Sequence, residues 1–475
     1  MIGSAMFEDI GAEFRGAALG DERRSVRLER IGAALSRDPA SSFPEAMESE
    51  GQLEALYRFL NNDAVTISGI LQPHTTMTSS RCNELKDVLV LQDTTAFEFS
   101  GTRRGLGRLH SSSARLGFLL HASLAIITAR DALGVLAAET WVRRGQPRGR
   151  ANKRGLRRDP GRESLRWVRG VVSAEDALSR PGRAVHVMDR EGDNDDLFSY
   201  LHANSIRHVI RLANNRNLVG TSDKLKDRAR AAHYVFYRDV HLSPRAKMRE
   251  LDRKGIHPPR NSRTARLAVS ATAVEIRRSN NHSPGVPASL AVNVVTVSEK
   301  GCPRGGHPVA WFLVTTEPIQ TRSQVESIVD AYRARWVIEE FFKALKSGCR
   351  FEHRQLESYK VIEAALGLFM PIALRLLALR GATRSDPKGP CRTLTAQQLA
   401  ILRAQTTRRM SAVPTNEEAT MALGELGGHL RSNGAPGWAL LGRAMERLLV
   451  MEIGWNMHRI VIDDEPCPDG YGWAR

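Results

Sequence analysis

A mixed α/β core set between two helical regions is the fold class the sequence predicts, and three observations predict it. Apolar residues recur at helical spacing up to about residue 75, short β-branched runs bounded by polar turns alternate with helices from about residue 85, and helical patterning returns beyond about residue 370. With 475 residues, 42% of them hydrophobic, the chain can build more than one core, since a domain usually takes roughly 100–200 residues. The boundaries read as 1–75, 76–370 with an inserted β-subdomain at about 213–308, and 371–475.

In the first region GDERRSVRLERIGAALSR places Leu28, Ile31 and Leu35 on one side of a helix and Arg23, Arg24, Arg27 and Arg30 over much of the rest. EGQLEALYRFLNN continues in that style to an Asn pair suited to a helix stop. DVLVLQDTTAFEF, FLLHASLAIITA and LGVLAAETWV then read as three consecutive antiparallel strands, with a turn at Arg130 and Asp131. The stretch at about 143–169 is rich in Arg and Gly, nearly free of apolar residues, and reads as a mobile loop. AVHVMD is a further strand, LFSYLHAN a helix and HVIRLA another strand, a rhythm that indicates a mixed sheet. A basic, Pro-rich stretch from Pro244 to Arg263 precedes RLAVSATAVEIRR and SLAVNVVTVSE, both alternating and β-branched, which define the insertion. PVAWFLVTTEP adds a strand, and Thr321 or Ser323, the latter with Glu326 three residues on, offers a capping-box helix start.

A formal net charge of +17, from 69 Lys and Arg against 52 Asp and Glu, points to a polyanionic partner. Five cysteines without a CxxC pair argue against a structural zinc site and for a reducing compartment. The N-terminus MIGSAMFEDIGAEF carries acids where a secretory leader would be basic and then apolar. The most apolar stretch, Val361 to Leu379, contains Glu363, Pro371 and Arg375 and reads as a buried helix rather than a membrane span. The expectation is a soluble cytoplasmic protein.

The chemistry concentrates in YRARWVIEEFFKALK. Tyr332, Arg335, Glu339 and Lys346 lie at spacings of three, four and seven and share one helical stripe, while Ile338, Phe341, Phe342 and Leu345 form the neighbouring core stripe. Alone, Arg335 and Glu339 are an ordinary i,i+4 pair worth a few tenths of a kcal/mol. Asp93 and Asp189, each read at the carboxyl end of an apolar strand, are alone ordinary turn acids. Together, three carboxylates from separate elements would repel unless a divalent cation neutralised them, and an all-oxygen set suits Mg²⁺ or Mn²⁺. Two such ions about 3.5–4 Å apart promote in-line displacement at phosphorus. A basic chain with that site should cut or join nucleic acid.

QDTT with Asp93, MDREGD with Asp189, and the Y-x2-R-x3-E-x6-K signature of Tyr332, Arg335, Glu339 and Lys346 resemble the cut-and-paste DDE transposases of the insertion-sequence-four family. The likeness extends through AALGDERRSVRL and YRFLNN to LGELGGHLRSNGAPGWALLGRAM, whereas the end, IVIDDEPCPDGYGWAR, departs from the pattern. The resemblance implies an RNase H-like core with Asp93, Asp189 and Glu339 as the metal-binding triad, holding two Mg²⁺ ions that Mn²⁺ can replace. It implies a bacterial, nucleoid-associated protein acting on double-stranded DNA, both terminal repeats and target. The implied reaction is nicking, a hairpin intermediate, its opening and strand transfer. Tyr332, Arg335, Lys346 and Arg211 would hold the phosphates and terminal nucleotides, and Trp311 would receive a flipped base. The N-terminal helices, with Arg23, Arg24, Arg27 and Arg58, would read the repeat, and a C-terminal helical domain would form the homodimer of the synaptic complex. Glu191 and Asp193 read as a solvated turn or as supports around the metal-binding acids. Two other classes stay open: a catalytically silent DNA-binding repressor of transposition, and an RNase H-like nuclease that cuts without joining.

Overall fold

The computed structural model describes residues 10–37, 39–109, 115–143, 159, 161–242, 259–280, 282–407, 409–430 and 434–463. Three helices open it: α1 (Glu22–Arg37), α2 (Glu50–Asn61) and α3 (Ile67–Asn83). Leu28, Ile31 and Leu35 of α1 are buried, as their spacing predicts. Ser49 caps α2 by accepting the Gln52 N–H at 3.3 Å, and Thr66 caps α3 by accepting the Gly69 N–H at 3.1 Å. The boundary expected near residue 75 falls inside α3, which runs on because Ile70, Leu71, His74 and Thr78 are buried along it.

The core is one ten-stranded sheet in the order β2-β3-β1-β5-β6-β10-β9-β8-β7, with β4 also paired to β3. Its strands are β1 (Val88–Phe99), β2 (Gly107–Arg108), β3 (Leu116–Ile127), β4 (Ala132–Trp141), β5 (Val185–Met188), β6 (His208–Arg211), β7 (Tyr234–Leu242), β8 (Arg263–Arg277), β9 (Ser289–Lys300) and β10 (Ala310–Thr315). The three expected antiparallel strands are β1, β3 and β4, while β5 lies parallel to both β1 and β6. Helix α4 (Arg166–Ala177) precedes β5, α5 (Asp195–Ala203) links β5 to β6, and α6 (Leu225–Arg230) leads into β7.

The insertion differs from a separate β-subdomain. Strands β7, β8 and β9 form an antiparallel set whose free edge pairs with β10 from Asn293↔Thr315 to Ser298↔Ala310, so they extend the core sheet. Pairing there satisfies N–H and C=O groups that an open edge would leave bare. Most of the Pro-rich stretch before β8, and of the Arg-rich stretch at 143–169, lies outside the described residues.

After β10 come α7 (Arg322–Ala334), α8 (Trp336–Lys343), and then α9 (Tyr359–Ser385), α10 (Ala396–Gln405), α11 (Asn416–Leu426) and α12 (Trp438–Asp463). Among the described residues α9 is the one helix long and apolar enough to cross a membrane, yet 89% of its apolar window is buried. It is a core helix, and the expected boundary at 370/371 falls within it. One continuous apolar cluster joins α1, α2, one face of the sheet, α7, α8 and α9. The other face packs Trp167, Phe198 and Ile210 under α4, α5 and α6.

Helix α3 is locked to β4 by a buried polar cluster. The Val135 N–H donates to His74 Nε2 at 2.9 Å, so the ring's Nδ1–H donates to Glu13 at 2.5 Å, and Arg81 bonds the other Glu13 oxygen. Contact is close enough that a Cβ on Gly134, at φ +148°, would lie 1.9 Å from Thr78 Oγ1. Burial raises the Glu13 carboxyl, but the bonds from His74 and Arg81 outweigh it and hold it below its ordinary value. A depressed carboxyl contributes stability that is full above its unfolded value and is lost as pH falls through the folded one. Glu13→Gln should therefore cost roughly 3 kcal/mol at pH 7, the scale of a broken buried pair. Denaturant titrations should also show a shallower loss of stability below about pH 4.5 than in the wild type.

Candidate active site

Parallel pairing of β1 with β5 runs from Leu89↔Val185 to Gln92↔Met188, and one further step sets Asp93 beside Asp189. Asp93 does not end its strand, as the sequence suggested. Strand β1 continues to Phe99 because β3 pairs with it throughout and Phe97 and Phe99 enter the core, so Asp93 marks where its neighbour β5 stops. Asp189 does end β5, and its Oδ1 accepts the Glu191 N–H at 2.8 Å, capping the short 3₁₀ turn Arg190–Gly192.

The third carboxylate comes from the signature helix, which is not one uniform helix. It starts at Thr321, whose capping-box partner is Gln324 rather than Glu326. It tightens at Arg335, where the Arg335 N–H bonds Tyr332 O and the Ile338 N–H bonds Arg335 O, and widens into a π-turn at Ala344–Gly348. Ile338, Phe341, Phe342 and Leu345 are buried, as expected. On the other side Arg335 forks between acids: one nitrogen donates to Asp93 Oδ2 at 2.9 Å and another to Glu339. Burial lifts the Asp93 carboxyl to about 7 against the pull of Arg335, with the charges of Asp189 and Glu339 adding to the rise. Arg335 stays charged, because Asp93 and Glu339 outweigh the burial that opposes it.

Beside this group lies an aromatic and basic corner. Tyr332 is buried, meets the half-buried Trp311 of β10 edge-on at 5.2 Å, and has Arg211 within hydrogen-bonding reach of its hydroxyl. Burial raises the Tyr332 phenol, partly offset by Arg211 and Arg335. Arg211 also donates to Ala310 O at 3.3 Å. Lys346 is carried by the π-turn to β1, where it bonds Ala96 O, sits 5.1 Å from the Phe97 ring centre and lies 3.8 Å from Glu352. Burial lowers its amine despite Glu352 and Glu98.

The N-terminal arginines stand elsewhere. Arg23 and Arg27 of α1 are exposed, Arg24 is tied to Leu19 O at 2.6 Å, and Arg58 pairs with Glu54 at 3.6 Å on the surface of α2. Arg27, Arg30 and Arg37 line a groove of about 600 Å³ between α1 and α2.

Of Glu191 and Asp193, Glu191 is exposed as a solvated turn requires, whereas Asp193 is fixed in place. Asp193 is buried, takes two bonds from Arg216 at 2.8 and 2.5 Å, and accepts the N–H groups of Ala213 and Asn214, anchoring the chain just after Arg211. Glu191 is bonded by Arg166 at 2.5 Å. Their partners are 23 and 25 residues away, beyond any local sequence signal.

The donor set is all oxygen and suits a hard divalent ion. Among the described residues no three His, Cys, Asp or Glu side chains stand close enough to enclose one, and Arg335 lies between Asp93 and Glu339. Its guanidinium places a positive charge between the two acids.

Residues 10–65 match the family model described as transposase DNA-binding, and residues 173–372 match the transposase DDE domain. The second match contains Asp189, Arg211, Trp311, Tyr332, Arg335, Glu339 and Lys346, while Asp93 precedes it. Among solved structures the chain is similar to a piggyBac transposase synaptic complex with hairpin DNA, at 9% identity and a TM-score of 0.36, over 98% of this chain and 85% of that one. The chain carries a transposase DNA-binding domain followed by a DDE transposase domain.

Proposed function

We propose that the protein is a cut-and-paste transposase that binds its transposon's terminal repeats, cleaves the ends through a hairpin intermediate and joins them to target DNA. The observation that carries this reading is the parallel register that sets Asp93 beside Asp189, with Glu339 joined to Asp93 through Arg335. Asp93, Asp189 and Glu339 are the proposed catalytic residues and would hold two Mg²⁺ ions, with Mn²⁺ able to substitute. Bound there, such ions supply an activated water or 3′-hydroxyl and stabilise the leaving oxygen.

The Arg335 guanidinium, which bonds Asp93 and Glu339, would also suit a DNA phosphate, which can accept two parallel bonds from such a fork. Arg211 and Tyr332 would hold the neighbouring phosphates, and Lys346 would add a point charge further along β1. The exposed edge of Trp311 would stack on an extruded base, replacing part of the stacking lost from the duplex. Arg23, Arg27 and the groove arginines would engage the repeat. Pairing of two copies would run through the C-terminal helices, where Val450 and Trp455 of α12 are exposed.

Asp189→Ala should retain binding to a terminal-repeat duplex but lose Mg²⁺-dependent cleavage and strand transfer by roughly 10⁴-fold or more. Sustained cleavage by that variant would sink the assignment. Arg335→Lys keeps the charge but not the fork, and should lower single-turnover cleavage about 10²-fold. Arg27→Ala should weaken repeat binding and reduce the slope of log K against log salt by about one, whereas Arg24→Ala should change that slope less because Arg24 is bound to Leu19 O.

A further inference from the structure

Strand alternation turns Gln92 and Thr94, on either side of Asp93, to the opposite face of the sheet. There they belong to a chain of hydrogen bonds that is buried at Gln92, His121 and His186 and ends on the exposed Glu191. His186 Nε2 bonds Glu175 at 2.7 Å, Gln92 Nε2 bonds His186 Nδ1 at 2.8 Å, and His121 Nε2 bonds Gln92 Oε1 at 3.2 Å. Thr94 Oγ1 then bonds His121 Nδ1 at 3.0 Å, Arg166 Nε donates to Thr94 Oγ1 at 2.9 Å, and a terminal nitrogen of Arg166 reaches Glu191 at 2.5 Å.

The sense of the chain is set by its donors and acceptors. A carboxylate only accepts, whereas a guanidinium and an amide nitrogen only donate, so the Gln92 amide fixes the role of each inner group. Every bond between Arg166 and Glu175 then donates toward Glu175. Burial drives the His121 imidazolium down to about 3, aided by Arg166 and Arg169, which keeps that ring neutral. Gln92 and His186 are 0% exposed and His121 1%, so water cannot replace a missing partner. Helix α4 crosses the chain at Gly170, where a Cβ would lie 2.6 Å from His121 Nε2 and 2.8 Å from Gln92 Oε1.

The anchor points give the chain its meaning. It grips β1 immediately before and after Asp93, grips β5 three residues before Asp189, and ends on Glu191, whose N–H caps the Asp189 carboxylate. We propose that this hydrogen-bonded chain sets the separation of the Asp93 and Asp189 carboxylates, making Gln92, Thr94, His121, His186 and Arg166 positioning residues for the ion-dependent reaction. The inference rests on the reading that these two acids hold the ion.

Mn²⁺ titration of the full chain on its terminal-repeat duplex, with free ion read by electron paramagnetic resonance and Asp189→Ala as background, tests it alongside thermal melting. Gln92→Met and Thr94→Val should weaken Mn²⁺ binding about 10–100-fold, the usual effect of losing a group that orients a ligand. Thr94→Ser, which keeps the hydroxyl, should restore it, and duplex affinity should not change. If Gln92→Met does not fold, the Thr94→Val and Thr94→Ser pair decides alone. Wild-type Mn²⁺ binding by Thr94→Val, with binding lost in Asp189→Ala, overturns the positioning role. Equal binding by wild type and Asp189→Ala overturns the underlying assignment of the acids.

Discussion

The short parallel overlap of β1 and β5 is the constraint on which the site depends. It brings two carboxylates together in a largely buried place, where like charges repel with little screening. The protein answers that repulsion with Arg335, held one helical turn before Glu339, so a single helix delivers both the third acid and the countercharge. The tightening at Arg335 and the widening at Ala344–Gly348 bound a regular stretch, Trp336–Lys343, that buries Ile338, Phe341 and Phe342.

The two faces of the sheet divide the work. One carries the acids, the signature helix and α9, and is continuous with the N-terminal helices through one apolar cluster. The other carries a smaller apolar cluster and a line of buried polar groups under α4. A polar line inside a sheet is tolerated only when each member is bonded, and the contacts from Glu175 to Glu191 meet that requirement.

Much of this was legible in the chain. Alternation and helical spacing located eight of the ten described strands, all but β2 and β7, together with the core stripe of the signature helix and the order of its chemical residues, because those signals are local. Asp93 looks like a strand end because the apolar run stops at Leu91, whereas pairing with β3 carries the strand past it. The insertion's union with the core sheet depends on an edge-to-edge match that no local pattern reports. Gln92, His121 and His186 each look like one polar residue in an apolar run. A sharper signal was present, since polar side chains at inward positions of strands covered on both faces must find partners.

The N-terminal helices are not a tethered appendage. Arg354, which follows the signature helix, bonds Ser41 O and Pro39 O at 2.7 Å each and lies over the rings of Phe43 and Phe369. Under the proposed function, a head that read DNA and was bolted in this way to the body that cut it would behave as a caliper. The interval from recognised bases to broken bond would be written into protein geometry rather than linker length, and grafting a foreign reading head would mean rebuilding the core beneath it.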